Sequence, residues 1–343
     1  MARELGTALS RMGEQVYYLT RRTPASPAAE AQTAYLPPLG RSLPSHFRVR
    51  FEAAAASFAP DVVHIHQPLP AFLSISPAYC GPIVYSFYAP WPEEFKIKAS
   101  PWPRLLRRWM APALGRVEGL MVRRAAAVVV LSDYSRRQVN ELYRRDTVLI
   151  PGGVDCGRFQ PKDREHRKLQ VRLITLRNLV PRMGLPGLVR SMKLLPPHVT
   201  LEIGGDGPLR LELEKLIAAL DLKARVRLLG HVAEARLPEF YASADWFVLS
   251  TSALEGFGLV ILESLACGTP VVGTRVGAIP ELLERFDPAW VIDDPTPEAI
   301  ARTLNALIGR PTPDRWTLHS RVAAEFDWSE IARRYRELYA GLM

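Results

Sequence analysis

The sequence predicts an α/β protein built from two doubly wound domains. Its 343 residues exceed what one ordinary core accommodates. Short apolar runs alternate with helical stretches, and this alternation occurs twice along the chain. Strands that alternate with helices form mainly parallel sheets, covered on both faces. Ligands of such sheets bind outside the carboxyl ends of the strands, so we expect a site in a cleft between the domains.

The predicted strands are short apolar or β-branched runs bounded by Pro, Gly or polar residues. In the first half they are QVYYLT (15–20), DVVHIH (61–66), IVYSFY (83–88) and AAVVVLS (126–132). In the second half they are VRLITL (171–176), VTLEIG (199–204), RVRLLG (225–230), DWFVLS (245–250), PVVGT (270–274) and AWVID (289–293). Helices are predicted between them, including HFRVRFEAAAASF (46–58) and SRRQVNELYRR (135–145).

Three segments follow from this pattern. We assign residues 1–160 to an N-terminal domain, 161–327 to a C-terminal domain and 328–343 to a helix that packs back toward the N-terminal domain. The join is predicted in VLIPGGVDCGRFQPKDREHRK (148–168), which is rich in Gly, Pro and charge.

A doubly wound domain begins with a strand and a Gly-rich turn, but this chain begins with a helix, 2–12. We therefore expect that roughly 10–25 residues are missing, through a misassigned start or truncation.

Composition narrows the protein class. With 48% hydrophobic residues the chain is globular, and its longest apolar run, AAAVVVL (125–131), is much shorter than a membrane span of about 20 residues. The N-terminus has no apolar signal segment, which predicts a cytoplasmic location. Cys80, Cys156 and Cys267 are scattered and odd in number. This pattern argues against a disulfide framework or zinc site and favours reduced core cysteines.

The net charge of +9 is concentrated in one segment, 96–124, where eight Lys or Arg accompany a single acid, Glu118. Apolar residues recur there at roughly helical spacing, and Pro112 is expected to interrupt or kink the helix. Such a basic amphipathic segment can lie on an anionic membrane, such as the inner membrane face, but a solvated face of a packed helix is the favoured alternative. No nucleic-acid-binding motif accompanies the charge. The cations are Lys96, Lys98, Arg104, Arg107, Arg108, Arg116, Arg123 and Arg124.

Two histidines, His64 and His66, alternate with apolar residues on a predicted strand. No metal-ligand spacing accompanies them. Hydrogen-bonded core or strand-end histidines are therefore the favoured interpretation.

The segment SALEGFGLVILESLACGTPVV (252–272) predicts a Gly-containing turn, a helix and the start of a strand. Gly256 and Gly258 allow the backbone to approach a ligand closely, and the first N–H groups of the helix suit a diphosphate. Glu255 precedes the helix, whereas Glu263 lies about one and a half turns inside it. Both carboxylates can reach one ligand that lies along the helix start. Alternatively, Glu255 is a helix-start acid and Glu263 a surface residue.

The run from 226 to 283 resembles glycosyltransferase family 4, retaining enzymes of the GT-B fold with an E-x7-E motif. Glu255 and Glu263 match that motif, and GGDGPLR (204–210) and IPGGVDCGRF (150–159) match further family segments. The resemblance covers nearly the whole chain and is looser in the first domain, at PDVVHIH (60–66) and VVVLSDYSRRQV (128–139).

The resemblance implies transfer of a hexose from a UDP-, GDP- or ADP-sugar to a glycan, lipid or small acceptor, with retention and no obligatory metal or other cofactor. The absence of a D-x-D triplet is consistent with this. By resemblance, Glu255 contacts the donor sugar and Glu263 the ribose. The backbone of Phe257, Gly258 and Leu259, next to Gly256, holds the sugar and the phosphates. Gly205 lines the same pocket, and Val232 lies beside the base.

The sequence departs from the family at the diphosphate-binding cations. The family shows an Arg and a Lys in a G-R-L…K-G segment, whereas LRNLVPRMGL (176–185) places Asn178 and Met183 at those positions. Arg177 and Arg182 each stand one residue earlier. Because a one-residue shift on a strand turns the side chain to the other face, Arg182 is favoured over Arg177 as the substitute cation.

A second departure lies in VYSFYAPWPEEF (84–95), where Tyr88 replaces the His that relatives carry near the sugar. Tyr donates a hydrogen bond but does not ionise near neutral pH. The segment resembles an acceptor-side loop, or else it is a Pro-rich turn with Trp91 packed inside.

Two functions from different classes remain open at this point. The first is a glycosyltransferase with Glu255, Arg182 and Tyr88 as catalytic residues. The alternative is a catalytically silent relative that binds a nucleotide sugar or a partner glycosyltransferase. A Rossmann dehydrogenase is disfavoured, because GGDGPLR (204–210) lacks the G-x-G-x-x-G spacing and the later ribose-binding acid.

Overall fold

A computed structural model of the chain describes residues 1–21, 32–36, 43–97, 104–162 and 170–343. Internal contacts divide the chain into two compact units. The first unit comprises Met1–Gly152 and Trp328–Met343, and the second comprises Gly153–Asp327. Within these described ranges, no helix combines the length and apolarity that crossing a bilayer requires.

The strands of the described residues all belong to parallel pairs. They are β1 (Tyr17–Arg21), β2 (Gln32–Leu36), β3 (Val63–Ile65), β4 (Ile83–Phe87), β5 (Ala127–Val130), β6 (Val148–Leu149), β7 (Val171–Leu176), β8 (Val199–Gly204), β9 (Val226–Gly230), β10 (Trp246–Leu249), β11 (Val271–Thr274) and β12 (Val291–Ile292).

The α-helices of the same residues lie between or beyond the strands. They are α1 (Ala2–Arg11), α2 (Pro44–Phe58), α3 (Pro68–Ser74), α4 (Trp91–Ile97), α5 (Arg104–Arg124), α6 (Asp133–Tyr143), α7 (Leu185–Ser191), α8 (Arg210–Ala219), α9 (Leu237–Ala242), α10 (Leu259–Ala266), α11 (Ile279–Leu283), α12 (Pro297–Ile308), α13 (Arg315–Phe326) and α14 (Trp328–Ala340).

The predicted α/β class with parallel sheets is confirmed. Every strand predicted from the sequence overlaps an observed one, and β7 and β8 have the predicted bounds, 171–176 and 199–204. Strands β2 and β6 were not predicted. β6 has only two residues, Val148 and Leu149, both exposed, so it lacks the apolar run that identifies a buried strand.

In the first unit, β3, β4, β5 and β6 form a four-stranded sheet, and β1 pairs with β2. Alternate residues of β5 enter different cores: Val128 and Val130 pack with Phe87, whereas Val129 packs with Val84. Both faces of this sheet are therefore covered, which explains why β5 reads as an uninterrupted apolar run.

Helix α14 belongs to the first unit although it follows the second in sequence. Its buried Ile331 and Tyr335 share a hydrophobic cluster with Leu5 and Leu9 of α1. Their spacing of three to four residues gives each helix one apolar face, and the two faces bury each other.

The boundary between the two compact units lies at 152/153, eight residues before the domain boundary predicted at 160/161. Residues 153–160 are held in the second unit by main-chain contacts with its last residues. The Val154 N–H donates to the Phe326 carbonyl (2.8 Å), and the Cys156 N–H donates to Asp327 Oδ2 (3.1 Å).

Two further expectations need correction. Helix α5 runs through Pro112 without the predicted interruption, whereas the alternative, a kink at Pro112, stays a prediction. Pro112 is exposed, so water can solvate the carbonyl that loses its helical donor.

Cys156 and Cys267 are buried free thiols as predicted, but Cys80 is exposed in the turn before β4. Part of the basic segment, 98–103 with Lys98, lies outside the described residues.

His64, within β3, and His66, directly after it, are partly buried and hydrogen-bonded, which agrees with the favoured interpretation. His64 Nδ1 lies 2.6 Å from the Tyr339 hydroxyl and Nε2 lies 2.8 Å from Ser86 Oγ. His66 Nδ1 lies 2.5 Å from the Tyr88 hydroxyl. Burial lowers the pKa of both rings, that of His66 to about 4.

The sheet of the second unit has the order β12-β11-β10-β7-β8-β9. The chain passes from β7 through β8 to β9 at one edge and then returns to β10 on the other side of β7. The switch in strand order therefore lies between β7 and β10, where open parallel sheets bind ligands at the carboxyl ends of their strands.

The partly buried His66 predicts acid sensitivity of the fold. The pKa of His66 falls from 6.5 to about 4 on folding, so between these values the unfolded chain binds a proton that the native chain does not. Stability therefore falls as pH falls through this window. We expect His66→Gln to reduce the loss of unfolding free energy between about pH 7 and about pH 5 by about 2 kcal/mol, measured by urea denaturation. His46→Gln, at an exposed position, should retain the wild-type slope. Equal slopes for both variants would contradict the assignment.

Candidate functional site

Two loops meet at the switch point of the second unit, 177–184 after β7 and 250–258 after β10. Gly184 has a φ of +65°, and a Cβ at this position would lie 1.9 Å from the Ser250 carbonyl oxygen, so the loops approach as only glycine allows. The Ser250 hydroxyl donates to the Met183 carbonyl (2.9 Å). These contacts hold the two loops in one arrangement.

A buried ion pair joins the two loops. The Arg177 guanidinium contacts the Glu255 carboxylate, and the two side chains are only 9% and 13% exposed. Arg177 also donates to Thr251 Oγ1 (3.3 Å), and its Nε lies 3.1 Å from the Met183 sulfur. Removing either charge would leave the other buried without compensation, so the pair fixes both loops.

The second nearby cation, Arg182, acts on the backbone of the same loop. Its Nη1 donates to the Leu254 carbonyl (2.6 Å), and its own carbonyl accepts from the Ser252 N–H (2.8 Å). Leu254 has a φ of +53°, in the left-handed region that a leucine rarely occupies. Arg182 therefore supports the unusual backbone that delivers Glu255.

The reason given for preferring Arg182 over Arg177 does not hold, because Arg177 lies beyond the end of β7, whereas the preference itself stays a prediction. Strand β7 ends at Leu176, so the alternation of side chains does not restrict Arg177, which reaches the Glu255 carboxylate directly. Asn178 is exposed, and Met183 is buried with its sulfur against Arg177. The positive charge of these loops therefore comes from the two arginines and not from the two positions of the family motif.

Helix α10 begins directly after this loop. Gly258, with a φ of +89°, precedes its first residue, Leu259, and Phe257 is buried. Gly256 lies between Glu255 and this turn. The first N–H groups of a helix have no acceptor within it and carry partial positive charge, so this helix start can receive an anion.

Glu263 lies farther along α10 and accepts a hydrogen bond from the Tyr241 hydroxyl at Oε2 (2.7 Å). Tyr241 is fully buried. Burial raises the pKa of Tyr241 well above its usual value, the Glu263 carboxylate raises it further, and the Arg177 guanidinium opposes both. The Tyr241 hydroxyl thus lies within the electrostatic fields of Glu263 and of Arg177.

The loop after β8 joins the same site. Gly205 has a φ of +112°, and a Cβ there would lie 1.9 Å from the Arg177 carbonyl oxygen. Val232 packs beside the preceding glycine, since its Cγ2 lies 2.9 Å from the position of a Cβ on Gly204. Tyr88, in contrast, belongs to the first unit, where its hydroxyl meets His66.

Sequence reasoning missed three residues of this site: Tyr241, Thr251 and Gly277. Gly277 has a φ of +60°, and a Cβ there would lie 2.1 Å from the Glu255 carbonyl oxygen, which also accepts from the Ala278 N–H (2.9 Å). A glycine between strand and helix signals a close approach, but not to which residue. Tyr241 and Thr251 give no signal, because their partners are distant in sequence.

The site can therefore bind two kinds of group. Arg177, Arg182 and the start of α10 supply positive charge and donors that suit an anion. Glu255 and Glu263 supply acceptors that suit hydroxyl groups. An anionic ligand that also carries hydroxyls matches this arrangement.

Two family profiles together match residues 1–320. Glycosyltransferase Family 4 matches residues 1–158, and Glycosyl transferases group 1 matches residues 158–320. The chain belongs to glycosyltransferase family 4. This confirms the resemblance identified from residues 226–283.

Curated relatives of this chain include two named for phosphatidylinositol-based compounds. It is 31% identical over 195 residues to one subunit of the phosphatidylinositol N-acetylglucosaminyltransferase of Arabidopsis thaliana, covering 56% of this chain and 43% of that protein. It is 32% identical over 215 residues to a GDP-mannose-dependent alpha-(1-6)-phosphatidylinositol dimannoside mannosyltransferase of Mycobacterium tuberculosis, covering 60% and 55%. The alignments thus span about half the length of these relatives.

Solved structures similar to this chain are matched over most of their length. Sucrose-phosphate synthase from Thermosynechococcus elongatus has a TM-score of 0.83 at 23% identity, covering 99% of this chain and 92% of that one. HepE from Anabaena, in complex with UDP and glucose, has a TM-score of 0.74 at 21% identity, covering 91% and 86%. The chain therefore has the GT-B fold.

The tight backbone contact at Gly277 predicts a sharp response to a single methyl group. Gly277→Ala would place a Cβ against the Glu255 carbonyl and force a left-handed alanine, so we expect a loss of about 1–3 kcal/mol in unfolding free energy. Gly309→Ala is the matched control, because a Cβ there meets nothing within 4 Å. Urea denaturation compares the two. Equal stability of both variants would show that the loop carrying Glu255 does not need this contact.

Proposed function

We propose that this chain transfers a hexose from a nucleoside diphosphate sugar to a glycan or lipid acceptor, with retention of anomeric configuration. The observation that carries this proposal is the Arg177–Glu255 ion pair at the switch point of the second unit's sheet. Ligands of such sheets bind at this position. Membership of glycosyltransferase family 4 supplies the reaction class.

In this proposal the diphosphate of the donor binds between the start of α10 and the two arginines. A departing nucleoside diphosphate gains negative charge in the transition state, and preorganised positive groups stabilise that charge without a metal ion. Arg177 and Arg182 replace the Arg and Lys of the family motif in this role. The backbone at Gly256, Phe257, Gly258 and Leu259 borders the phosphates and the sugar.

The two acids receive the hydroxyl groups of the donor. Glu255 accepts from the transferred sugar, next to the diphosphate. Glu263 accepts from two adjacent ribose hydroxyls, as a carboxylate offers several acceptor positions and Tyr241 uses one of them. Gly205 and Val232 border the base. Tyr88, held by His66, is proposed to contact the sugar or the acceptor.

The names of the relatives guide the choice of substrates. One relative is named for GDP-mannose and phosphatidylinositol dimannoside, another for phosphatidylinositol and N-acetylglucosamine, and a structural neighbour was solved with UDP and glucose. These names support a UDP- or GDP-sugar as donor. The recurrent inositol lipid favours a lipid acceptor over a soluble glycan.

A catalytically silent relative is the second candidate. It is favoured by Met183 and Asn178 at the cation positions of the family and by Tyr88 at the position of a histidine. Such a protein would bind a nucleotide sugar, or a partner glycosyltransferase, without turnover. The Arabidopsis relative is named as one subunit of its enzyme, which supports testing for such a partner.

A panel of nucleotide sugars separates the two candidates. Binding is measured by thermal shift and calorimetry with UDP-, GDP- and ADP-hexoses, and turnover by release of the nucleoside diphosphate with and without a phosphatidylinositol-based acceptor. Turnover supports the transferase, and NMR of the product determines retention or inversion. Binding without turnover on any acceptor supports the silent relative. No binding of any nucleotide sugar would overturn the proposed site.

Glu263 should contribute to affinity through the ribose hydroxyls. Glu263→Gln keeps the side-chain volume and an acceptor for Tyr241 but loses the charge. We expect the Kd for the donor to rise by about 10- to 150-fold, corresponding to about 1.5–3 kcal/mol for hydrogen bonds to a charged group. Glu239→Gln, on the exposed part of α9, is the control and should leave the Kd unchanged.

Binding of a 2′-deoxy ligand tests whether this effect of Glu263 arises from contact with the ribose. A 2′-deoxy nucleoside diphosphate should bind the wild type less tightly than the ribose form, and Glu263→Gln should bind both forms nearly equally. If the variant discriminates as strongly as the wild type, Glu263 does not contact the ribose.

The two arginines should act on the phosphates and not on the base. Arg177→Ala and Arg182→Ala are each expected to weaken binding of a nucleoside diphosphate by about 10- to 100-fold, whereas binding of the parent nucleoside stays the same. Arg190→Ala, at an exposed position of α7, provides the control. Because Arg177→Ala leaves Glu255 buried without its partner, Arg177→Lys tests whether a retained charge preserves affinity. An unchanged diphosphate affinity in both alanine variants would remove the arginines from the donor site.

A further inference from the structure

Helix α5 of the first unit presents an exposed face that carries large apolar side chains. At 100° per residue, seven exposed or half-exposed positions fall within an arc of about 100°. Leu105 is 76% exposed, Trp109 83% and Leu120 45%. We call this face the α5 stripe, and it comprises Leu105, Trp109, Pro112, Ala113, Arg116, Leu120 and Arg123.

The opposite face of α5 forms the core contacts of the helix. Ala111, Met121 and Val122 are buried, the last two in the cluster around Phe87. The α5 stripe is therefore not needed for packing within the first unit. A tryptophan that is 83% exposed leaves a large apolar area in water, which argues for a surface that contacts another phase or molecule.

The charge on the α5 stripe has one sign. Arg116 and Arg123 lie on it, and the only acid in the sequence of α5, Glu118, points into the core. The Glu118 carboxylate accepts from the hydroxyls of Tyr85 (2.9 Å) and Tyr143 (2.7 Å).

The acids of the neighbouring helix α4 lie on another side. Gly115 faces Pro92 of α4 (3.2 Å from a Cβ position) and lies about 110° round the helix from the centre of the stripe. The acids Glu93 and Glu94 follow Pro92 on that flank.

A cavity of about 390 Å³ adjoins the C-terminal end of the stripe. Leu120 and Arg123 line it from α5, and Phe72, which is 38% exposed, lines it from α3. Arg48 of α2 adds a further exposed cation. The Arg124 guanidinium donates to the Tyr79 carbonyl (3.0 Å) and holds the chain after α3 against α5. The cavity thus combines apolar walls with guanidinium groups at its rim.

We propose that the α5 stripe and this adjoining cavity form a docking surface for an anionic lipid bilayer. Leu105, Trp109 and Leu120 enter the boundary between headgroups and acyl chains, where tryptophan is favoured. The guanidinium groups of Arg116 and Arg123 meet lipid phosphates at the level of the headgroups. The cavity receives part of a lipid that lies beneath Arg48 and Arg123.

A second copy of the chain fits this surface less well. In a two-fold symmetric dimer the stripe would face itself. The stripe of one copy would then meet a second stripe that carries the same two cations, Arg116 and Arg123, and neither stripe carries an acid to compensate. An anionic bilayer supplies the opposite charge and an apolar layer together.

Vesicle co-sedimentation of the full chain tests the apolar part of this surface. Vesicles of phosphatidylcholine alone are compared with vesicles that also contain phosphatidylglycerol. Leu105→Ser/Trp109→Ser should lower the partition coefficient onto the anionic vesicles on the order of tenfold or more. The control is Leu142→Ser/Trp316→Ser, which removes a leucine 54% exposed on α6 and a tryptophan 53% exposed on α13. It should bind as the wild type does.

The charged part is tested separately. Arg116→Ala/Arg123→Ala should lower partitioning by about fivefold per arginine, and added salt should reduce wild-type binding because it screens the lipid charge. Arg302→Ala/Arg310→Ala, at exposed positions of the second unit, should have little effect. Donor binding is measured for every variant as a check on folding. The surface lies in the first unit, so a failure of donor binding in the wild type would not affect this test.

Four outcomes would overturn the proposal. The wild type fails to bind anionic vesicles, it binds neutral and anionic vesicles equally, or the stripe variants bind as well as the controls. In the fourth, sedimentation velocity without lipid shows a dimer that the stripe substitutions dissociate and that does not bind vesicles. That result would assign the surface to a second copy.

Discussion

The buried ion pair between Arg177 and Glu255 is the interaction on which the second unit's site depends. A charge removed from water is tolerated only with a partner at close range, so the two loops that carry these residues cannot separate independently. The backbone around the pair has glycines where other residues would clash: Gly184 meets Ser250, Gly205 meets the Arg177 carbonyl, and Gly277 meets the Glu255 carbonyl. Three close approaches of main chain thus enclose one pair of charges, and the surrounding sheet holds the loops at its switch point.

Much of the fold could be predicted from the sequence, because its strands are buried on both faces. β7 and β8 read as apolar, β-branched runs between polar borders, and their observed bounds match. β6 could not be found this way, since its two residues are exposed. The boundary at 152/153 was also beyond reach, because residues 153–160 join the second unit through hydrogen bonds to residues more than 160 positions away.

The separate segments of the candidate site could be predicted from the sequence, but the contacts between these segments could not. The glycines between Glu255 and Glu263 predict a turn followed by a helix start, and α10 begins there at Leu259. The partners of these acids come from other segments: Arg177 lies 78 residues before Glu255, and Tyr241 lies 22 before Glu263. Periodicity along one segment cannot reveal such contacts. Similarly, the pattern of α5 indicates amphipathic character, but apolar residues occur on both faces, and only packing shows that Trp109 is outside and Glu118 inside.

The pairing of Val154 with Asp327 brings the first and last segments of the second unit side by side. In sequence order, the second unit is inserted into the first, because the first unit resumes after Asp327 with α14. A unit delimited in this way can be exchanged at two adjacent points without rethreading the rest of the chain. Truncation after Asp327, by contrast, would remove α14, which is the packing partner of α1 at the N-terminal end of the chain.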